Sequence, residues 1–205
     1  MVSPGCTSDV GYRLNNNPQS EETMRPFDVP TRDDVSEQNQ QIFDDLKSKV
    51  GFVPNIYATY AYSEHAPARY LTFANGKTSL NNKEKEVINL VTSQVNGCSY
   101  CLAAHTAIGK MNGFTEEQTV ELRQGRSPFS EKLDALAKLA KSITENRGKI
   151  SDEVLANFFN TGYTKENLVD VILNIGDKTT TNLLHNVTDI PVDFPEAPEF
   201  AETAS

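Results

Sequence analysis

A chain of 205 residues is long enough for one well-buried core and too short for two large domains. With 28 acidic against 19 basic residues its formal charge is −9, and the basic residues form no cluster, which argues against nucleic acid as a partner. No apolar run approaches the roughly 18 to 20 residues of a membrane span, and the first twenty residues lack the apolar core of a secretory signal, so no membrane is expected and the cytoplasm is the default compartment.

Residues 1–23 are polar and aperiodic and read as a disordered leader or appended sequence, with Met24 a candidate natural start and Cys6 incidental. From Val35 onward apolar residues recur at helical spacing and strand-like alternation is absent, which predicts an all-α fold: one helical domain over 24–190, followed by an arm over 191–205. A first helix is expected from about Ser36 to Lys49, stopped by Gly51. Pro54 restarts the chain into a helical segment with Tyr57, Tyr60 and Tyr62, and Ser63 is placed to cap the next, which carries Tyr70, Leu71 and Phe73. In so acidic a chain these tyrosines read as packing rather than as a base-stacking platform. Asn81 with Glu84 forms a capping box that opens a helix running to Asn96-Gly97. Another begins at about Cys98 and ends at Gly113, and Thr115 with Gln118 starts a short one ending near Gly125. Further helices are expected over about 130–146, from Ser151 to Phe159, and from Thr164 to about His185. Pro191, Pro195 and Pro198 then leave an extended arm lying on this subunit or on a neighbour.

Cys98 and Cys101 are three residues apart, so a bond between them would staple nothing, which leaves redox or metal chemistry for the pair. At about 100° per residue, Cys98, Cys101 and His105 fall within an arc of about 60° on one helix face. The helix start favours a thiolate at Cys98, while His105, one turn beyond Cys101, is the natural acceptor for a thiol proton. A carboxylate on the preceding helix would orient that imidazole, and Glu86 is the candidate, with Glu84 and Glu64 left open by spacing alone.

Glu86, eleven intervening residues, Cys98-Ser99-Tyr100-Cys101, three residues and His105 together resemble the active-site signature of the alkylhydroperoxidase D-like group within the carboxymuconolactone decarboxylase superfamily. The resemblance runs from about Met24 to Phe194. It includes Gly51-Phe52-Val53-Pro54-Asn55 and Thr188-Asp189-Ile190-Pro191-Val192-Asp193-Phe194, stretches similar to those of its peroxidase-related members. It implies a helical fold assembled into a homo-oligomer, a dimer, trimer or hexamer, with no metal or organic cofactor. It also implies that Cys101 is the attacking, peroxidatic cysteine and Cys98 the resolving one, with His105 and Glu86 as the relay and the Cys98–Cys101 disulfide reset by a dithiol or a thioredoxin-like protein. The founding enzymes differ in having a histidine where this chain has Tyr100, and a tyrosine is no base at neutral pH. His185, near the end of the last helix, is a further candidate for the same pocket.

Other readings remain at this level. The cysteines could be ordinary buried residues, or join His105 on zinc with no fourth ligand in view. The superfamily fold also serves lactone decarboxylation or isomerisation, which needs no cysteine pair, and a non-enzymatic redox sensor would carry the same dithiol.

Overall fold

The computed structural model describes residues 27–200, so the leader with Cys6 and Met24, and residues 201–205, lie outside the described residues. Among the described residues there is no strand: a 3-10 turn at Arg32–Asp34 precedes α1 (Glu37–Val50), α2 (Asn55–Tyr60), α3 (Ala66–Ala74), α4 (Asn82–Val95), α5 (Ser99–Met111), α6 (Glu116–Arg123), α7 (Glu131–Glu145), α8 (Asp152–Asn160) and α9 (Lys165–Thr188). The all-α expectation holds.

Helix starts follow their caps. Asn81 accepts from the Glu84 N–H at 3.0 Å while the Glu84 carboxylate accepts from the Asn81 N–H at 2.9 Å, and Thr115 with Gln118 repeats the box. The Ser63 expectation fails: α3 has His65 at its N-cap, with Pro67 in the first turn. Proline's fixed φ and missing N–H suit that turn without a side-chain cap, and Ser63 remains in the preceding turn, bonded to the Tyr60 carbonyl. The last helix continues past His185 to Thr188, where Asp189 at φ 47° turns the chain ahead of Pro191.

The centre of the bundle is α4, which packs against α5, α6, α7 and α9. Its Val87, Ile88, Leu90 and Val91 have no exposed surface and join Leu136, Leu139, Phe158 and Val171 in the main apolar core. The C-terminal arm lies on its own chain. The Asn55 N–H at the start of α2 donates to Asp193 at 2.7 Å, Asn55 Nδ2 donates to the Pro191 carbonyl at 3.0 Å, and Phe194 packs edge-on against Phe52. The two stretches that carried the family resemblance outside the cysteine segment are therefore in contact with each other.

Candidate active site

The turn between α4 and α5 builds the site. Gly97 adopts φ 65°, a conformation that favours glycine, and lets the Cys98 N–H reach back to the Ser93 carbonyl at 3.0 Å. Cys98 thereby becomes the N-cap of α5, its Sγ accepting from the Cys101 N–H at 3.3 Å. Both thiols are free and buried.

One turn further, His105 Nδ1 lies 2.8 Å from Glu86 Oε2. The other Glu86 oxygen accepts from Asn89 Nδ2 at 3.0 Å, and Asn89 Oδ1 accepts from Asn174 Nδ2 on α9 at 2.8 Å. This chain of bonds fixes the carboxylate and leaves His105 Nε2 as the ring nitrogen available for proton exchange. Burial alone would raise the Glu86 pKa, but the charge and hydrogen bond of His105, then Lys178 and Asn89, hold it below the usual range. The alternatives are occupied elsewhere. Glu84 caps its own helix and lies 3.4 Å from Lys132, and Glu64 is exposed.

The two sulfurs are driven apart. Cys101 is pushed down to about 5, first by the hydrogen bond it receives from Cys98, against burial, and further by the positive charges of Lys178 and His105 and by Asn182. Cys98 is pushed up by that same hydrogen bond, by burial and by the Cys101 charge. The helix-start argument for a Cys98 thiolate is thus outweighed by the neighbour that Cys98 donates to.

Beside Cys101 opens a cavity of about 540 Å³ whose wall includes Phe52, Ile56, Tyr57, Ile108, Met111 and Phe194. Cys101, His105 and Lys178 also line it, whereas Cys98 does not. Lys178 and Asn182 escaped the sequence reading. Both sit on the inner face of α9, where Val171 and Ile175 are followed at helical spacing by buried Lys178, Asn182 and His185. Polar residues in an apolar register were the available signal. Burial lowers the Lys178 pKa, but Asp177, Cys101, Tyr57 and Glu86 outweigh it and keep the ammonium charged. Asn182 donates to Ser93 Oγ at 3.2 Å and accepts from Asn96 at 2.9 Å, tying α9 to the end of α4.

Tyr100 has a structural place: its hydroxyl accepts from the Ile56 N–H at 3.2 Å, and its ring meets Phe194 edge-on. His185 is not on the cavity wall; it lies behind Tyr100, ring centroids 5.3 Å apart, with neither buried ring nitrogen hydrogen-bonded. Among the described residues no group of three or more His, Cys, Asp or Glu is arranged to hold a metal ion, and no helix is long and apolar enough to cross a membrane.

Comparison with known proteins gives the arrangement a context. The family model of the carboxymuconolactone decarboxylase family matches residues 63–142, which span α3 to most of α7. The uncharacterized protein YdfG of Bacillus subtilis is 28% identical over 108 residues, 52% of this chain and 74% of that protein. An uncharacterized peroxidase-related protein from Ralstonia eutropha JMP134, solved as an alkylhydroperoxidase AhpD core, superposes with a TM-score of 0.74 at 19% identity, over 82% of this chain and 91% of that one. A peroxidase-related protein from Silicibacter sp. TM1040 gives 0.72 at 22% identity, over 80% and 90%. The debrominase Bmp8 gives 0.68 at 16% identity, also over 80% and 90%. The central segment of the chain thus matches the carboxymuconolactone decarboxylase family model, and the fold of the chain is that of the alkylhydroperoxidase D-like structures.

Proposed function

We propose that the chain is a thiol-dependent oxidoreductase that reduces organic peroxides, with hydrogen peroxide as a smaller acceptor, through a Cys98–Cys101 dithiol/disulfide cycle. The observation that carries this reading is the asymmetry of the pair: Cys101 alone of the two lines the apolar cavity, beside His105 and Lys178. The cavity, at about 540 Å³, is far larger than a hydrogen peroxide molecule requires and suits an apolar organic body.

In the first step the Cys101 thiolate attacks the outer oxygen of R–O–OH and the O–O bond breaks. The alkoxide leaves with the proton that His105 had taken from Cys101, giving an alcohol and a sulfenic acid on Cys101. Cys98 then attacks the sulfenic sulfur; the S–S bond forms and hydroxide leaves as water with the Cys98 proton. Glu86 holds the imidazole and balances its charge, and Lys178 balances the thiolate. An external dithiol or a thioredoxin-like protein reduces the disulfide by thiol–disulfide exchange, so one peroxide consumes two thiols.

A stoichiometric peroxide pulse followed by thiol titration and intact-mass measurement tests this. The wild type should fall from three thiols, Cys6 included, to one and lose about two mass units. Cys98→Ser should trap a sulfenic acid on Cys101, and Cys101→Ser should resist oxidation at the pair. Wild-type protein that keeps all three thiols ends the peroxidase reading.

A second reading has its own support. A cysteine-to-alanine variant of the debrominase Bmp8 has been crystallised with 2,3,4-tribromopyrrole, and the cavity here is walled by Phe52, Tyr57 and Phe194. A thiolate facing such a cavity can attack a ring bromine instead of an oxygen: the C–Br bond breaks, the ring carbon takes the proton His105 had received from Cys101, and Cys98 then displaces bromide from the Cys101 sulfenyl bromide, forming the disulfide and losing its own proton. Halide release from a brominated aromatic under single turnover, with no oxidation by peroxide, favours it. Lactone decarboxylation, known within the family name, leaves the paired cysteines without a role.

A further inference from the structure

We infer that the Lys178 ammonium donates a hydrogen bond to the departing oxygen of the bound peroxide, which makes Lys178 a catalytic residue and tunes the site to alkyl hydroperoxides, whose leaving oxygens are strongly basic. The inference deepens the peroxide reading above and rests on it. Lys178, on α9, is only 6% exposed and lines the cavity beside Cys101 and His105. An ammonium has three donors and no acceptor, and taking it out of water is unfavourable unless it is paired. Its neighbour Glu86 is paired through both oxygens, to His105 and Asn89. Among the described residues no ion pair or hydrogen bond reaches Lys178 Nζ; the Thr181 hydroxyl donates to the Lys178 carbonyl instead, at 2.9 Å. Nor is Nζ sealed into the protein, as both ring nitrogens of His185 are, so its free hydrogens open on the cavity.

Nothing on the cavity wall competes for those hydrogens. Among the described residues that line it there is no carboxylate, in a chain with 28 acidic residues. Before the reaction the Cys101 thiolate and Lys178 act on each other by charge across the cavity wall. As the sulfur attacks the terminal oxygen, the S–O bond forms, the O–O bond breaks, and the negative charge passes from sulfur to the alkoxide oxygen. The total charge of the site is unchanged, and the cation is already in place, so the surroundings need not reorganise as the charge moves. His105 then delivers the proton that it took from Cys101, giving the alcohol, and Lys178 keeps its own proton throughout.

How much this hydrogen bond contributes depends on the leaving oxygen. An alkoxide is comparable in basicity to hydroxide, whose conjugate acid in bulk water has a pKa of about 15.7. The carboxylate that leaves a peracid has a conjugate acid near about 4. Far more negative charge therefore needs a partner when an alkyl hydroperoxide is cleaved. A hydrogen bond from a charged donor to such an oxygen commonly contributes about tenfold or more. Lys178 thus separates two classes of peroxide by the basicity of what they release, a discrimination that the apolar walls cannot make.

Single-turnover oxidation of the wild type and of Lys178→Met by tert-butyl hydroperoxide and by peracetic acid, each read at the plateau of its pH profile, tests the assignment. At the plateau the Cys101 thiolate is fully formed in both proteins, so a role confined to forming the thiolate leaves no deficit there. Removing the cation also makes the sulfur a stronger nucleophile, but alike toward both acceptors. The variant should lose about tenfold or more with the alkyl hydroperoxide and about twofold or less with the peracid. Should Lys178→Met lose its helical circular dichroism, Lys178→Gln carries the same comparison. Equal losses with the two acceptors, or a variant as fast as the wild type with the alkyl hydroperoxide, overturn the assignment and leave the peroxide reading standing. A wild type that keeps its thiols with both acceptors overturns the two together.

Discussion

The apolar core around α7 and α8 and the cysteine end around α5 are both largely buried, and both are built on α4 and α9. In the core, Val87, Ile88, Leu90, Leu136, Leu139 and Phe158 expose nothing and carry no polar side-chain atom. At the cysteine end the same two helices supply Glu86, Lys178, Asn182 and His185, all buried, alongside Cys98, Cys101 and His105. Apolar burial stabilises by roughly 25 cal/mol per Å². Burying ions is unfavourable unless each is paired and hydrogen-bonded. The molecule therefore holds its fold with one face of α4 and α9 and strains its chemistry with another, so stability and reactivity should respond to different substitutions.

Leu136→Ala is the strongest attempt to break that division. Leu136 has no exposed surface, and truncation at such a site leaves a cavity that destabilises by about 2–5 kcal/mol. Denaturant unfolding should show this loss, while the folded fraction oxidises under a peroxide pulse at the wild-type rate. A slowed rate in the folded fraction would mean that the two regions are mechanically coupled through α4.

Glu86→Gln works from the other side. The amide keeps most of the shape but removes the negative charge 2.8 Å from His105 Nδ1, and proton transfer by a well-positioned base, which this carboxylate secures, typically contributes about 10²–10⁴-fold. Oxidation of the dithiol should slow by about a hundredfold, read as the rate of thiol loss after a peroxide pulse.

Lys178→Met should cost less and move a pH profile. The ammonium is one of the charges that hold Cys101 down to about 5, so its loss should shift the alkylation midpoint upward, by roughly one pH unit for about 1.4 kcal/mol of lost interaction. The sign for stability follows from the same depression. Between about 5 and about 8.5, the pKa of a free thiol, the folded chain binds fewer protons at Cys101 than the unfolded one, so stability rises with pH and is lost as acid protonates the sulfur. Cys98, pushed up, reverses the trend above about 8.5, because only the unfolded chain then releases its proton. The variant should narrow the rising limb from its acid side.

Much of this division was legible in the residues because helix ends are local. Asn81 with Glu84, Thr115 with Gln118 and Asn96-Gly97 set boundaries that neighbours a few residues away decide. The start of α3 was misread because Pro67, not a capping serine, determines it. Cys98, Cys101 and His105 share one helix, so geometry alone put them on one face. Glu86 needed the family resemblance, since its choice over Glu84 depends on which side of α4 faces α5. Lys178 and Asn182 were out of reach of local spacing: they come to the cysteines through the packing of α9 on α4 and α5, and only their place in the run Val171, Ile175, Lys178, Asn182, His185 hinted at it.

Tyr100 is the position where scaffold and chemistry compete for one residue, and its substitution carries the smallest expected effect on the reaction. Where the founding enzymes resemble this chain but for a histidine, the tyrosine hydroxyl instead accepts from the Ile56 N–H, and burial, reinforced by the Asp193 carboxylate, pushes its pKa up. That contact binds the first turn of α2 to α5, beside the arm whose Asp193 receives the Asn55 N–H. Tyr100→Phe keeps the ring against Phe194 and His185 but leaves a backbone donor unsatisfied, which costs about 1–3 kcal/mol when no water replaces it. A lowered unfolding midpoint with an unshifted Cys101 titration would assign Tyr100 to the scaffold. A shifted titration at unchanged stability would return it to the chemistry, since the hydroxyl would then be sensed by the sulfur rather than by the arm.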